Sequence, residues 1–201
     1  MVMNYKLQRA ILAVGLVAAM AVGAFAALTP GAQAPLFTAR AAQDGKDFTF
    51  SLQKALAKGP VVVYFFPSAF TGGCDLEAHT FATEMNKFKA AGATVIGVSA
   101  DSIPRLNAFS KSPSYCAGQF PVASDSSLKV ANEYGLKTSP AQPGMKDVRG
   151  VVINHAFIER TTFVLNKDGR IVATFSSTAD HLTPPQHVAD ALAAVQKLDG
   201  K

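Results

Sequence analysis

The chain has 201 residues, 49% of them apolar and 16% charged, with a formal net charge of +5. That length suffices for one well-cored domain, and the balance excludes an intrinsically disordered chain. No basic cluster interleaved with aromatics occurs, which argues against a nucleic-acid partner, and two cysteines are too few for a disulfide framework or a four-ligand zinc site.

Met1 to Ala26 reads as a targeting segment. Lys6 and Arg9 form a positive n-region, Ala10 to Gly23 is apolar and uncharged, and Ala24-Phe25-Ala26 is a small-x-small site. Cleavage before Ala27 is therefore expected, leaving a domain over 27–201. An uncleaved membrane anchor is the rival, because the apolar run to Leu28 approaches spanning length; the weak hydrophobicity of its Ala and Gly favours removal. Export implies an oxidising compartment such as a bacterial periplasm, where Cys74 and Cys116 can pair. Membrane contact is expected only if the segment stays attached.

The Asp44-Gly45 turn, flanked by Thr38 to Phe50, predicts an N-terminal β-hairpin. Leu52 to Lys58 predicts a short helix ended by Gly59-Pro60. Val61 to Phe66 is an apolar run of β-branched and aromatic residues, a buried strand that Pro67 stops. Ser68 to Gly73 is a polar loop whose Gly72-Gly73 pair can take backbone angles other residues resist. From Cys74 the apolar positions Ala78, Phe81, Met85 and Phe88 recur at helical spacing, up to Ala91-Gly92. Thr94 to Ser99 is a second buried strand, and strand–helix–strand predicts a parallel pair.

Asp101 or Ser102 caps the next helix, which carries Pro104 in its first turn and runs to about Ser110. Lys111 to Gly118 is a Ser/Pro loop around Cys116, expected to be polar and mobile. Phe120 to Ala123 predicts a strand and Ser126 to Tyr134 a helix, followed by an irregular excursion over Lys137 to Gly150. Arg160 to Asn166 and Arg170 to Ser176 form an antiparallel hairpin about Asp168-Gly169. Thr183 opens a last helix with Val188, Leu192 and Val195 on one face. This order predicts an α/β thioredoxin-like fold, a central mixed sheet flanked by helices with an N-terminal hairpin.

Cys74 falls in the first turn of its helix, where unpaired N–H groups and the macrodipole stabilise a thiolate, so its pKa is expected to be lowered. The alternative is a buried inert thiol. The spacing Pro67-x-x-x-Thr71-x-x-Cys74 resembles the peroxiredoxin active-site motif. Cys74-Asp75-Leu76-Glu77-Ala78 is similar to its continuation in the bacterioferritin-comigratory/PrxQ-like branch of the AhpC/TSA superfamily. Gly31, Ala34, Pro35 and Phe37 match the family's opening. Ile158 to Gly169 resembles its later stretch, whose arginine lies beside the thiolate; that role is carried to Arg160. An arginine opening a core strand is itself a sign of an anionic partner.

The resemblance implies a thiol peroxidase acting on hydrogen peroxide or small organic hydroperoxides, with no metal, haem or flavin. Cys74 is the attacking sulfur, Thr71 places a hydroxyl near it, and Pro67 shields it and fixes the loop. Glu77 either orients Arg160 or is an ordinary first-turn acid favoured by the dipole. His79 stands where this branch often has a second cysteine, which leaves Cys116 as the resolving candidate. It would attack the Cys74 sulfenic acid and form an intramolecular disulfide, reopened by a thioredoxin-like or other thiol reductant. A one-cysteine mechanism and a structural cystine stay open, as do a monomer and a homodimer. His155 and His181 are expected to be solvated. Two other readings of the chain are a thioredoxin-like disulfide oxidoreductase, which the lack of a Cys-x-x-Cys disfavours, and a non-catalytic cystine-stapled binding domain.

Overall fold

The computed structural model describes residues 26–199, so the targeting segment expected over 1–26 lies almost wholly outside the described residues. Among the described residues no helix is long and apolar enough to cross a membrane.

The N-terminal hairpin is β1 (Thr38–Gln43) and β2 (Lys46–Ser51), paired antiparallel. Its two-residue turn needs positive φ at both positions, 51° at Asp44 and 74° at Gly45, which suits an Asp-Gly pair. A short helix α1 (Leu52–Leu56) leads to β3 (Val61–Phe65), helix α2 (Gly72–Ala90) and β4 (Thr94–Ser99). β3 and β4 pair in parallel, as the strand–helix–strand order predicts. Helix α3 (Ile103–Lys111), β5 (Val122–Ser124) and helix α4 (Lys129–Glu133) follow. The excursion contributes β6 (Thr138–Ser139), which pairs with β7 (Phe157–Ile158) in a ribbon too short for any periodicity to reveal. The chain closes with the hairpin β8 (Thr161–Leu165) and β9 (Ile171–Ser176) and helix α5 (Pro184–Asp199).

Seven strands form one mixed sheet in the order β2-β1-β5-β4-β3-β8-β9, with helices on both faces. Alternation along β3 explains how one strand builds two cores. Val62, Tyr64 and the following Phe66 join Phe81, Phe88 and Val188 under α2 and α5, whereas Val61, Val63 and Phe65 join Leu52, Ala131 and Tyr134 under α1 and α4. Each Val, Leu or Phe among them contributes about 1.5–3 kcal/mol on burial. The Tyr64 ring lies across Gly97, where an added Cβ would fall 2.7 Å from its hydroxyl, so that position in β4 requires glycine. The fourth helix begins at Lys129 rather than near Ser126. Leu128 takes a left-handed φ of 60°, and the Asp125 carboxylate instead accepts the N–H groups of Val130 and Ala131 at 3.2 and 2.8 Å.

Candidate active site

β3 ends at the middle of the sheet, and its chain turns through Pro67 to Thr71 into α2. Thr71 is the residue before the helix, with extended φ and ψ, so Cys74 is the third helical residue. The first intrahelical bond returning to Thr71 comes from Asp75 N–H, at 2.9 Å, which leaves the N–H groups of Gly72, Gly73 and Cys74 without helical partners. The Thr71 hydroxyl does not cap the helix; it donates to the Ser68 carbonyl at 2.7 Å. Gly72 and Gly73 open the helix and do not use the positive φ that glycine allows. Space at Gly73 is tight, since a Cβ there would lie 3.3 Å from the Arg160 guanidinium, which would have to shift by a few tenths of an ångström.

That guanidinium reaches over Gly73 to the sulfur. One Arg160 nitrogen donates to Cys74 Sγ at 3.2 Å, and the other donates to the Glu77 carboxylate. Glu77 is fully buried one turn along α2 from Cys74 and is ion-paired with Arg160. Cys74 itself is 2% exposed. Burial pushes its thiol above the ordinary value, against the pull of Arg160 and the Thr71 hydroxyl. The expectation of a lowered pKa from the helix N-terminus alone is therefore corrected: desolvation of the thiolate outweighs these contributions in the closed site. Pro67 and Arg160 help line an open cavity of about 610 Å³, whose walls also include Phe157, Ile158 and Lys137.

Cys116 does not sit in a polar, mobile loop. Its turn is closed by bonds from Ala117 N–H to Ser112 and from Gly118 N–H to Ser110, at 2.9 and 2.8 Å, and its side chain is fully buried. Tyr115 and Phe120 flank it and outweigh the Ser/Pro composition. Tyr115 stacks on Phe109 at 5.0 Å and meets Phe70 edge-on at 5.4 Å, joining this turn to the active-site loop. Both cysteines are free thiols in one apolar cluster. Burial raises the Cys116 thiol well above its usual value, with Asp75 adding to the rise.

Several residues around the loop were not singled out by motif. Asp101, expected at most as a helix cap, is fully buried and bonds the Ala69 N–H at 2.8 Å and Arg105 at 2.6 Å. His155 is not solvated: its Nε2 lies 2.9 Å from Asp101 and 3.3 Å from the Ser68 hydroxyl. His181 is exposed, as expected, and His79 lies on the exposed face of α2. Phe70 holds φ at 60°, a strain of about 1–3 kcal/mol for a bulky residue. It is held there by Phe109 and by the Arg149 guanidinium, 3.2 Å above its ring. On the far side of Arg160, buried His187 bonds Thr162 at 3.0 Å and Ser177 at 2.9 Å. Position gives one signal for Asp101: it follows the carboxyl end of a core strand, where sites in α/β sheets gather.

A thiol held between a helix N-terminus, a hydroxyl and a carboxylate-oriented guanidinium is equipped for nucleophilic attack with charge stabilisation. Residues 30–174 match the model of the AhpC/TSA family. The chloroplastic peroxiredoxin Q of Populus jackii is 35% identical over 83% of this chain and 68% of that protein. The solved structure of Xanthomonas campestris peroxiredoxin Q superposes with a TM-score of 0.60 at 26% identity, covering 86% of this chain and 97% of that one. The fold is likewise that of peroxidoxin BcpB from Mycobacterium tuberculosis, with a TM-score of 0.68 at 24% identity over 85% of this chain and 98% of that one.

Proposed function

The chain belongs to the AhpC/TSA family, in its peroxiredoxin Q-like branch, and from that footing we propose how its residues carry out a two-cysteine reduction of hydroperoxides. It is a thiol-dependent peroxidase. In the proposed first step the Cys74 thiolate attacks one peroxide oxygen. The S–O bond forms as the O–O bond breaks, sulfur is oxidised by two electrons, and the other oxygen leaves as hydroxide or alkoxide and takes up a proton. The observation that carries this is the Arg160 nitrogen 3.2 Å from Cys74 Sγ, which favours the thiolate and faces the place where negative charge moves onto the leaving oxygen. Thr71 holds its hydroxyl toward the same point, Pro67 closes the loop over it, and Glu77 keeps the guanidinium aimed.

In the proposed second step the Cys116 thiol attacks the Cys74 sulfenic acid, forming the S–S bond and releasing water. Supporting this pairing, the two share one core cluster, and the Tyr115–Phe70 contact links their segments. Because both are buried, the turn around Cys116 or the first turn of α2 must open before the sulfurs bond. A thioredoxin-like reductant then returns two electrons through a mixed disulfide.

The test is the intact mass of the pre-reduced protein after one equivalent of hydrogen peroxide, with a sulfenic-acid trap present. Loss of two hydrogens in a monomer without trap adduct is expected. An adduct on Cys74 alone would keep the peroxidase and remove Cys116 from the cycle; no rapid change would sink the whole reading.

Export is part of the same reading, supported by Lys6, Arg9, the uncharged Ala10–Gly23 run and Ala24-Phe25-Ala26. Residues 1–26 would then be removed, and the cysteine pair would work in an oxidising compartment such as a bacterial periplasm. A mature N-terminus at Ala27 in the exported fraction is the expected result; an intact N-terminus in the membrane fraction would replace cleavage with anchoring.

A further inference from the structure

Behind the active-site loop lies a cluster of charged side chains that takes no part in the steps above. Asp101 is fully buried and receives more donors than any helix cap would need. One carboxylate oxygen accepts from Ala69 N–H and from the Ser99 hydroxyl, both at 2.8 Å. The other lies 2.6 Å from Arg105 Nε and 2.9 Å from His155 Nε2. Arg105 reaches past Asp101 and donates to the Ala69 carbonyl at 2.7 Å, so both backbone groups of Ala69 are held by charged side chains. Such charge-assisted bonds are roughly twice as strong as neutral ones. The flanking backbone is tied as well: the Ser68 carbonyl takes the Thr71 hydroxyl, and the Phe70 carbonyl takes Val148 N–H at 3.0 Å.

We propose that Asp101 is a positioning residue of the peroxidase site: with Arg105 and His155 it holds the Ser68–Phe70 backbone that sets Thr71 beside Cys74, and His155 tightens this hold in its imidazolium form. The proposal rests on Cys74 being the peroxidatic sulfur. The Ser68–Phe70 loop has no regular strand or helix pairing, so these side-chain bonds are a large part of what fixes it, and displacing a positioned group by about 1 Å costs up to ~10²-fold in rate.

The role of His155 follows from its two nitrogens. Nδ1 lies 2.9 Å from the Ala156 carbonyl, which only accepts, so Nδ1 carries a proton. Nε2 then donates to Asp101 only when the ring is doubly protonated; the neutral ring would turn a lone pair toward the carboxylate. The charged groups facing the ring are Asp101, which favours the cation, and Arg105, which opposes it as burial does. Asp147 and Arg149 of the excursion act on it through Arg105, whose remaining nitrogen lies 2.8 Å from Asp147. The balance raises the imidazole above its ordinary value, in agreement with the geometry. The Asp101–His155 bond is therefore present at lower pH and lost as pH rises through that titration.

The experiment compares two rates in the reduced full-length protein from about pH 5.5 to 8.5, a range that spans an imidazole titration. One is the reaction of Cys74 with hydrogen peroxide. The other is its alkylation by iodoacetamide, which reads the thiolate fraction without needing Thr71. In the wild type the ratio of peroxide rate to alkylation rate is expected to fall with rising pH. In His155→Gln it stays flat, and in Asp101→Asn it is lower by about 10- to 100-fold at pH 6. A folded Asp101→Asn protein with a ratio within about twofold of wild type would overturn the proposal. So would a pH dependence that survives in His155→Gln, and that variant decides the matter if Asp101→Asn does not fold. Cys74→Ser separates the underlying reading: if it still consumes peroxide rapidly, the assignment of the sulfur fails and not merely its positioning.

Discussion

Cys74 and Cys116 are buried to nearly the same degree, 2% and 0% exposed, and occupy one core cluster, yet their surroundings differ in kind. Around Cys74 are a helix N-terminus, a guanidinium at 3.2 Å and the Thr71 hydroxyl. Cys116 has aromatic neighbours and an acidic residue, Asp75, whose charge works against ionisation. Burial alone makes a thiol inert, because the thiolate loses its solvation. A cation built into the same dry space returns part of that loss and aims the sulfur at a leaving charge. Reactivity thus follows from what replaces water around a sulfur and not from exposure.

Replacing the sulfur is the most severe break of this contrast. Cys74→Ser is expected to lose peroxide reduction by at least ~10³-fold, read by stopped-flow consumption of hydrogen peroxide. Removing the cation comes next. Arg160→Met should slow the reaction about 10²-fold at neutral pH. The guanidinium favours the thiolate, so its loss moves the thiol pKa further upward, and the limb of the pH–rate curve that rises with pH shifts to higher pH with it. An unchanged curve in that variant would erase the distinction between the two cysteines.

Arg160 also acts on its other neighbour. Burial and this cation together push His187 down to about 4, so the imidazole stays neutral between Thr162 and Ser177. Its folded value lies below the unfolded value of about 6.5, so the stability it contributes is complete above that pH. It is lost as pH falls toward 4, by about 3 kcal/mol. Urea denaturation across this range should show the loss, and His187→Gln should remove it. The smallest effect is reserved for the second cysteine. Cys116→Ser should leave the first reaction with peroxide within about twofold of wild type while letting a sulfenic-acid trap capture Cys74. A large fall in that first rate would mean that Cys116 shapes the site before oxidation.

Pattern along the chain was enough for the elements and for part of the site. The apolar run from Val61, the helical spacing after Cys74 and the Asp-Gly turns are local signals, and each element they predict is present with ends moved by a few residues. Pro67, Thr71 and Cys74 lie within eight residues, so one strand-to-helix turn brings them together. The expectation of a depressed Cys74 pKa was drawn from that turn alone and did not hold. Desolvation depends on what covers the turn, and Arg160 and Pro184, which lie against Gly73, come from far along the chain.

Sequence by itself determined the sheet-and-helix order, the family and the placement of a cysteine at a helix start, because these rest on neighbours in the chain. Tertiary structure alone decided which charges meet. The sheet order sets β8 beside β3, which carries Arg160 across to Cys74 and Glu77 from 86 and 83 residues away. It brings His155, which follows the excursion, to Asp101 and Ser68, where its place in a loop suggested solvent around it. It also turns Tyr115 and Cys116 inward beneath a stretch whose residues read as polar. Electrostatic partners act through space over a few ångströms and leave no periodic trace, so only the packed chain reveals them.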